Sequence, residues 1–402
     1  MQACARPTLL LGLAGLGFVS LGLPDGLLGV AWPSIRSDFA LGQDALGALL
    51  VTTTTGYVLS SFASGPLMAR LGLGMLLALS CLATAVSLFG YSVAPAWWLL
   101  VALGVLAGLG AGAIDAGINH YVASQHGARA LNLLHAGYGL GTTTGPVLMT
   151  SVLMAGAPWQ RGYAIVATSQ LALGLAFAAT RRLWPEAPSS PTGAIAAAPL
   201  RATLRLPAAW LGAAMFALYT GLEAAAGAWT YTLLTEGRGV SMQSAGGAVS
   251  LYWGMLMAGR IGFALSLGAA PLGVLIGVCM AGLTSGALLL ALDLGTGASL
   301  LGLALFGLAA GPIFPSLIST APRRFGSAHA ANAVGLQIAA AAIGQSLLPA
   351  ALGFGVAAFG LELVPRVLAL LAALLLAISR PALAAQQDPQ PDRYEARARG
   401  PA

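Results

Sequence analysis

Long apolar stretches recur along almost the whole chain and are separated by short polar segments. Each stretch is close to the ~20 residues that an α-helix needs to cross the hydrocarbon core of a bilayer. The pattern therefore predicts an all-α membrane protein with twelve membrane-spanning helices, which we number as spans 1 to 12. The spans are predicted at residues 8–32, 44–67, 73–92, 96–121, 131–155, 160–180, 207–233, 243–267, 271–291, 297–320, 328–355 and 360–379.

The composition supports a membrane protein and excludes a water-soluble one. Of the 402 residues, 58% are hydrophobic and only 7% are charged, whereas soluble domains carry about 25% charged residues. The 54 glycines suit membrane helices, in which small residues let backbones approach closely. The cationic residues are all arginines, and all but Arg260 flank the spans or lie in the linker and tail, so the pI of about 9.6 does not indicate nucleic-acid binding. Lysine is absent although arginine is plentiful, which is typical of GC-rich coding and favours a bacterial source.

A polar segment at 181–206, rich in Pro, Ser and Arg, divides the spans into six and six. We predict an amino-terminal bundle at 1–180, a linker at 181–206, a carboxyl-terminal bundle at 207–380 and a disordered tail at 381–402. The halves also resemble each other, because spans 5 and 11 each carry a glycine followed five residues later by a proline. A duplicated chain of this kind is typical of secondary transporters, whose solute site lies near the midplane between the halves.

The arginines predict the orientation in the membrane. If the amino terminus is inside, thirteen arginines flank the inner ends of spans and only four flank the outer ends. Because positive residues are enriched in cytoplasmic loops, we expect both termini and the linker in the cytoplasm of a bacterial inner-membrane protein.

Three acidic residues lie inside otherwise apolar spans: Asp25 in span 1, Asp115 in span 4 and Glu223 in span 7. An ionised carboxylate costs several kcal/mol in hydrocarbon, so such residues usually face a cavity or a partner and have a function. We predict that all three take part in proton coupling. Asp115 is also a candidate for solute binding together with Asn119, since residues four apart share one helix face. The alternative for the pair is polar contact between helices.

Further candidates for solute binding are polar or aromatic residues within spans. They are His135, Tyr219, Trp253, Gln337 and Gln345. Each has an alternative role in packing or in anchoring at the membrane interface. Arg260 in span 8 and Arg70 after span 2 are predicted to be structural charges, and Arg260 could pair with Glu223. The three cysteines are far apart, and the sequence has neither a metal-binding spacing nor a catalytic arrangement. We therefore expect that the protein binds no metal or cofactor and is not an enzyme.

The motifs resemble the major facilitator superfamily and, within it, the fucose:proton symporter family. The resemblance is carried by GLGAGAIDAGINHYVA at 108–123, ARALNLLHAGYGLGTTTGP at 128–146, LGLPDGLLGVAWPSIRSDF at 21–39 and LYTGLEAAAGAWTYTLL at 218–234. In the family, a Gly-rich fourth helix has an acid and then an asparagine, followed by an Arg-x-Leu-Asn entry to the fifth. These positions match Asp115, Asn119, Arg129, Leu131 and Asn132. The resemblance implies twelve helices in two pseudo-symmetric bundles and proton-driven sugar uptake.

The chain departs from the family pattern at three places. The loop at 65–74 keeps Arg70 but lacks the acidic residue of the superfamily signature. Span 4 has Asp115 where the fucose branch usually has Glu, and His120 where that branch often has Pro. The sequence therefore leaves the solute open.

The favoured function is proton-coupled symport of a small polar solute, such as a sugar. A proton-driven exporter of drugs or metabolites and a non-transporting membrane sensor remain alternatives, and the sequence does not decide between a proton and a sodium ion. We expect the partners to be the solute and the lipid bilayer, with no nucleic acid, and the protein to be a monomer.

Overall fold

The computed structural model describes residues 2–185, 198–266 and 272–384. Its α-helices are α1 (Gln2–Asp38), α2 (Leu46–Leu71), α3 (Leu73–Val93), α4 (Trp97–Gln125), α5 (Gly127–Met154), α6 (Trp159–Thr180), α7 (Leu200–Leu204), α8 (Pro207–Thr232), α9 (Met242–Ser266), α10 (Leu272–Ala291), α11 (Thr296–Ala310), α12 (Ile313–Ser319), α13 (Ala321–Phe325), α14 (Ser327–Phe359) and α15 (Leu363–Ala384). In this part of the chain, nine helical segments are long and apolar enough to cross a membrane. Helices α5, α9 and α15 complete the twelve predicted spans, which are all helical.

Span 10 is interrupted in the structure, whereas the sequence predicts one continuous helix at 297–320. Helix α11 ends at Ala310 and α12 begins at Ile313. Pro312 has no N–H to donate to the preceding turn, so it commonly breaks or kinks a helix. Gly311 lies against α9, where a Cβ built on it would be only 2.3 Å from the carbonyl oxygen of Leu256. The break therefore lies beside the part of α9 that carries Arg260.

The twelve membrane helices form two six-helix bundles with matching internal contacts. In the first bundle α1 packs on α5, α2 on α4, and α3 on both α4 and α6. In the second, α8 packs on α14, α9 on α11, and α10 on both α11 and α15. Each of these contacts thus has its equivalent six spans later, which confirms the pseudo-symmetric fold predicted from the sequence.

Glycines set the closest helix crossings within each bundle. A Cβ built on Gly22 would lie 2.3 Å from the carbonyl oxygen of Tyr138, so α1 and α5 are in backbone contact there. In the second bundle, a Cβ built on Gly344 would lie 1.9 Å from the carbonyl oxygen of Ala217 on α8. These crossings bring the backbones of α1 and α5, and of α8 and α14, as close as small residues permit in membranes.

The two bundles meet along α5 with α9, α2 with α14, and α1 with α8. We call the end of the molecule that carries Arg36 the Arg36 face, and the opposite end, where α2 finishes, the Arg70 face. At the Arg36 face the bundles are joined by an ion pair, in which Arg36 Nη2 lies 2.8 Å from Glu236 Oε1. Gln43 Nε2 also donates to Glu236 Oε2 over 3.2 Å. At this face the bundles are therefore linked by charged and polar contacts.

Much of the predicted linker and tail falls at 186–197 and 385–402, outside the described residues, so the predicted domain boundaries stay predictions. The end of the linker is ordered against α14. The amide of Ala198 donates to the carbonyl of Ala328 over 2.9 Å, and Asn332 Nδ2 donates to the carbonyl of Ala198 over 2.8 Å. These bonds hold the start of the second bundle at the Arg70 face.

Candidate functional site

Asp25 lies in the middle of α1, opposite α5. Pro24 precedes it and removes one backbone donor, and Gly22 lets α5 approach so closely that Tyr138 reaches the carboxylate. The Tyr138 hydroxyl donates to Asp25 Oδ2 over 2.8 Å. The Asp25 side chain is nevertheless exposed, although it lies midway along a membrane helix. A carboxylate in that position fits an opening between the bundles rather than lipid.

Asp115 lies on α4, opposite α2. Tyr57 Oη donates to its Oδ2 over 2.6 Å, and Asn119 Nδ2 donates to its Oδ1 over 2.9 Å. The predicted pairing of Asp115 and Asn119 on one helix face is thus present as a direct hydrogen bond. The other amide atom, Asn119 Oδ1, is buried and accepts no hydrogen bond from the described residues.

Glu223 lies on α8 and has the most elaborate surroundings of the three acids. Tyr219, one turn earlier, donates to its Oε2, and Arg260 Nη2 lies 3.5 Å from its Oε1. Tyr252 of α9 donates to the carbonyl oxygen of Glu223 over 2.9 Å. The pair predicted from the sequence between Glu223 and Arg260 is therefore formed, but by one long contact. Nε of Arg260 is buried and has no partner among the described residues.

Each of the three acids accepts a hydrogen bond from a tyrosine of the same bundle. Only Tyr219 was singled out from the sequence, as a candidate for solute binding, and it lies four residues before Glu223 on the same helix face. Tyr57 and Tyr138 are brought to their carboxylates by packing between helices, and no sequence spacing connects them to Asp115 or Asp25. In the sequence, each of them is marked only as the one tyrosine of a span that is rich in Gly and Thr.

Asp25 and Glu223 each lie one turn before the point where α1 and α8 are in backbone contact, since a Cβ built on Gly29 would be 2.3 Å from the carbonyl oxygen of Gly227. The charges of Asp25 and Glu223 act on one another. The charges of Glu223 and Arg260 both act on the Tyr138 hydroxyl. His135, one turn before Tyr138 on α5, is also within range of the charge of Arg260. This interfacial cluster, comprising Asp25, Tyr138, His135, Glu223 and Arg260, combines two carboxylates, one guanidinium and one imidazole between the two halves.

The remaining predicted solute contacts have different surroundings. His135 packs edge-to-face on Phe18 with ring centroids 5.3 Å apart. Trp253 is 5% exposed and lies against Gly227 of α8, and its Nε1–H meets no acceptor in the described structure. Tyr219 is fully buried, and its hydroxyl oxygen, whose single proton is shared with Glu223, also lies 2.9 Å from the carbonyl oxygen of Ala310. That hydroxyl is engaged within the protein and is placed to position Glu223.

Within the described structure, the two predicted glutamines and Arg70 form no hydrogen bond with a member of the interfacial cluster. Gln337 is fully buried, and both its amide atoms lack partners among the described residues. Gln345 is exposed on α14, and Arg70 is exposed in the last turn of α2. The side chains of Arg129 and Asn132, which belong to the family motif, lie outside the described part. Within that part, no group of three or more His, Cys, Asp or Glu side chains could hold a metal ion.

Solved structures of transporters share this fold. A bacterial homologue of the human lysosomal transporter Spinster, in an inward-facing and occupied conformation, superposes with a TM-score of 0.76 at 15% identity, covering 96% of this chain and 99% of that one. A mutant of the nucleoside transporter NupG gives a TM-score of 0.75 at 14% identity, covering 94% of this chain and 99% of that one. The unoccupied inward-facing form of the Spinster homologue gives 0.72 at 14% identity, covering 94% and 97%.

No curated protein matches this sequence significantly. The sequence profile of the Major Facilitator Superfamily, in contrast, matches residues 14–349, which include eleven of the twelve spans in whole or in part. The match agrees with the twelve-helix fold and with the transporters that share it. This chain is thus a multi-pass membrane protein and a transporter of the Major Facilitator Superfamily.

Proposed function

We propose that this transporter couples the uptake of a small polar solute, such as a sugar, to the movement of protons by alternating access. The single observation that carries the proposal is the position of Asp25. It is an exposed carboxylate midway along a membrane helix and is held by Tyr138 of its own bundle. It also lies one turn before the contact of Gly29 with Gly227 of α8, the helix that carries Glu223. A group that must change its charge when the bundles move is best placed at their interface.

Protonation of Asp25 supplies the coupling in this proposal. An ionised Asp25 adds a second negative charge beside Glu223, for which Arg260 is the only described ion-pair partner. When the bundles close around the site, water is excluded, and an ionised carboxylate there costs several kcal/mol. A neutral Asp25 removes that cost, so closure is favoured when a proton is bound. Tyr138 can then act as donor to the ionised form or acceptor to the neutral form.

The solute contacts in this proposal come from polar and aromatic side chains of both bundles. A sugar needs hydrogen-bond donors and acceptors together with an aromatic face. Trp253 provides an indole Nε1–H without a described acceptor, and Gln345 provides an exposed amide. His135 lies beside Tyr138 on the same helix. The sugar assignment rests on these groups and on the resemblance to the fucose:proton symporter family.

The transport test uses purified protein in liposomes. Stabilisation by L-fucose and other neutral monosaccharides is first measured as a shift in the thermal unfolding midpoint. With a stabilising sugar, addition to liposomes without a pH gradient is expected to move protons in the same direction as the sugar. Proton movement in the opposite direction would indicate exchange, as in an exporter. Binding without any transport would instead indicate a sensor, and no stabilisation by any monosaccharide would remove the sugar assignment.

The arginine distribution supports placing the Arg70 face in the cytoplasm. In a variant without native cysteines, Leu294→Cys is expected to react with a membrane-impermeant maleimide on intact cells, because Leu294 is 68% exposed in the loop between α10 and α11 at the Arg36 face. Arg70→Cys, at the opposite face, should react only after permeabilisation. The reverse labelling pattern would contradict this orientation.

A further inference from the structure

Acids and arginines are unevenly divided between the two faces of the molecule. Apart from the three acids within the membrane, all described acids lie at the Arg36 face: Asp38, Asp44, Glu236, Asp293 and Glu362. At the Arg70 face the described side chains include no acid but the following arginines: Arg70, Arg181, Arg182, Arg201, Arg205, Arg323 and Arg324. The enrichment of positive residues in cytoplasmic loops depends little on acids. Membrane orientation therefore explains these arginines but not the lack of described acids among them.

Four of these arginines lie on neighbouring elements at the start of the second bundle, and we call them the basic cluster: Arg201, Arg205, Arg323 and Arg324. Helices α7 and α13, which carry or adjoin them, both pack on α8 and α14. Arg201 and Arg205 are four residues apart, so they share one side of α7. No described acid lies within ion-pair distance of any member of the cluster.

The rest of the chain does not supply the missing negative charge. The segments 186–197 and 385–402 lie outside the described residues, and together they contain four acids and three arginines. Their combined formal charge is therefore only −1. Within the cluster, the guanidinium of Arg324 is half-buried over the ring of Phe325, 5.1 Å from its centroid, and its buried Nη1 has no described acceptor. Buried charges in proteins are normally paired, so this cluster fits an anion from outside the chain.

Exposed apolar side chains lie beside the basic cluster. Leu200, the first residue of α7, and Trp210, in the first turn of α8, are each 55% exposed. Trp210 Nε1 donates to the carbonyl oxygen of Leu204 over 2.9 Å, which fixes the indole against the end of α7. Surfaces that lie in the headgroup region of a bilayer combine arginines with Leu and Trp in this way. These neighbours favour a lipid over a soluble anion.

We propose that the basic cluster and its apolar neighbours dock an anionic phospholipid. The exposed guanidinium groups of Arg201, Arg205 and Arg323 hold the phosphate, since arginine donates paired N–H groups to phosphate oxygens. Leu200 and Trp210 contact the glycerol and the start of the acyl chains. The bound lipid anchors the end of the linker and the start of the second bundle at the membrane surface. This surface lies at the Arg70 face, so the inference goes beyond the proposed proton coupling within the membrane.

The binding test uses the purified full-length protein in a neutral detergent, without solute. Phosphatidylglycerol is added as a rising fraction of the micelle, and the thermal unfolding midpoint is followed. The midpoint is expected to rise in a saturable way, whereas phosphatidylcholine with the same chains should not raise it. Each arginine near an anionic surface contributes roughly fivefold in binding, so Arg201→Gln, Arg205→Gln and Arg323→Gln should each raise the half-saturating fraction by about that factor. The triple variant should no longer saturate.

The matched control is Arg161→Gln, because Arg161 is an exposed arginine at the Arg36 face. Its response should equal that of the unaltered protein. Glycerol phosphate, a headgroup without chains, should give no shift, and Leu200→Ser should weaken the response to phosphatidylglycerol without removing it.

Four results would overturn the docking surface. They are an equal shift with phosphatidylcholine, an unchanged response in the folded triple variant, an equal loss in Arg161→Gln, and a saturable shift with glycerol phosphate, which would indicate a soluble anion instead. If the triple variant fails to fold, the three single variants decide the question. The measurements use neither solute nor a pH gradient, so failure of the proton-coupling proposal is detected separately.

Discussion

An Asp25→Asn variant is expected to lose solute accumulation against a gradient while it still exchanges solute across the membrane. Asparagine keeps the size of the side chain and can still bond to Tyr138, but it cannot change its charge. A pH gradient of one unit can drive about tenfold accumulation, since 1.4 kcal/mol corresponds to that ratio. The accumulation ratio of the variant in liposomes should therefore fall to one. Counterflow of labelled solute should remain measurable.

The control for this experiment is Asp44→Asn. Asp44 is an acid in the short helical turn before α2, outside the interfacial cluster, and its neutral variant should accumulate solute like the unaltered protein. Normal accumulation by a folded Asp25→Asn protein would show that Asp25 is a structural carboxylate. In that case Glu223, with Arg260 as its partner, would be the next candidate for the coupling group.

An Arg238→Met variant is expected to be the least stable single substitution at the Arg36 face. The guanidinium is 6% exposed and binds Glu362 with two hydrogen bonds of 2.8 Å. It also donates to Ser299 Oγ over 2.9 Å and to the carbonyl of Leu290 over 2.9 Å. Arg238 thereby joins the end of α8 to α10, α11 and α15. Removing one partner of a buried ion pair typically costs 3–5 kcal/mol, and since Glu362 is one-third exposed we expect about 3 kcal/mol.

The same ion pair predicts how stability depends on pH. The hydrogen bond from Arg238 lowers the pKa of Glu362 below its usual value of 4.5 in the folded protein. The stability that this shift contributes is fully present above the pKa of the unfolded chain and is lost as the pH falls through the lower, folded pKa. We therefore expect the unfolding midpoint of the unaltered protein to fall more steeply below pH 4.5 than that of Arg238→Met.

Arg161→Met is the matched control for this prediction, because Arg161 is an exposed arginine in the first turn of α6 at the same face. Its unfolding midpoint and acid profile should match those of the unaltered protein in detergent. Equal midpoints for Arg238→Met and Arg161→Met would mean that the Arg238 ion pair contributes nothing measurable. That result would place the Arg238 network among ordinary surface ion pairs, which are worth about 0–1 kcal/mol.

Much of the fold could be predicted from the sequence because membrane spans depend on local composition. A helix satisfies its own backbone in lipid, so an apolar stretch of the right length is sufficient to predict it. The duplication was also visible in the sequence, because Gly141 with Pro146 and Gly344 with Pro349 repeat one local spacing. The interruption of span 10 was missed, because its cause includes the contact of Gly311 with α9, which lies far away in the sequence.

Part of the candidate site could likewise be predicted from the sequence. Asp25, Asp115 and Glu223 could be identified from the sequence, since a charge in hydrocarbon is costly wherever the rest of the chain lies. Asn119 and Tyr219 could be added because helix geometry alone puts residues four apart on one face. The predicted roles of all these residues in coupling and binding stay predictions.

Only the tertiary structure decided which groups the acids meet. Tyr138 reaches Asp25 and Tyr57 reaches Asp115 because glycines bring two backbones into contact, and Arg260 reaches Glu223 from a different helix. The sequence by itself determined the class of protein, the number of spans and the presence of three acids within apolar spans. The tertiary structure brought α1 into contact with α8, which carries Glu223, and set Asp115 of α4 against α2. Such helix–helix contacts depend on residues that are distant in the chain and leave no periodic pattern within it.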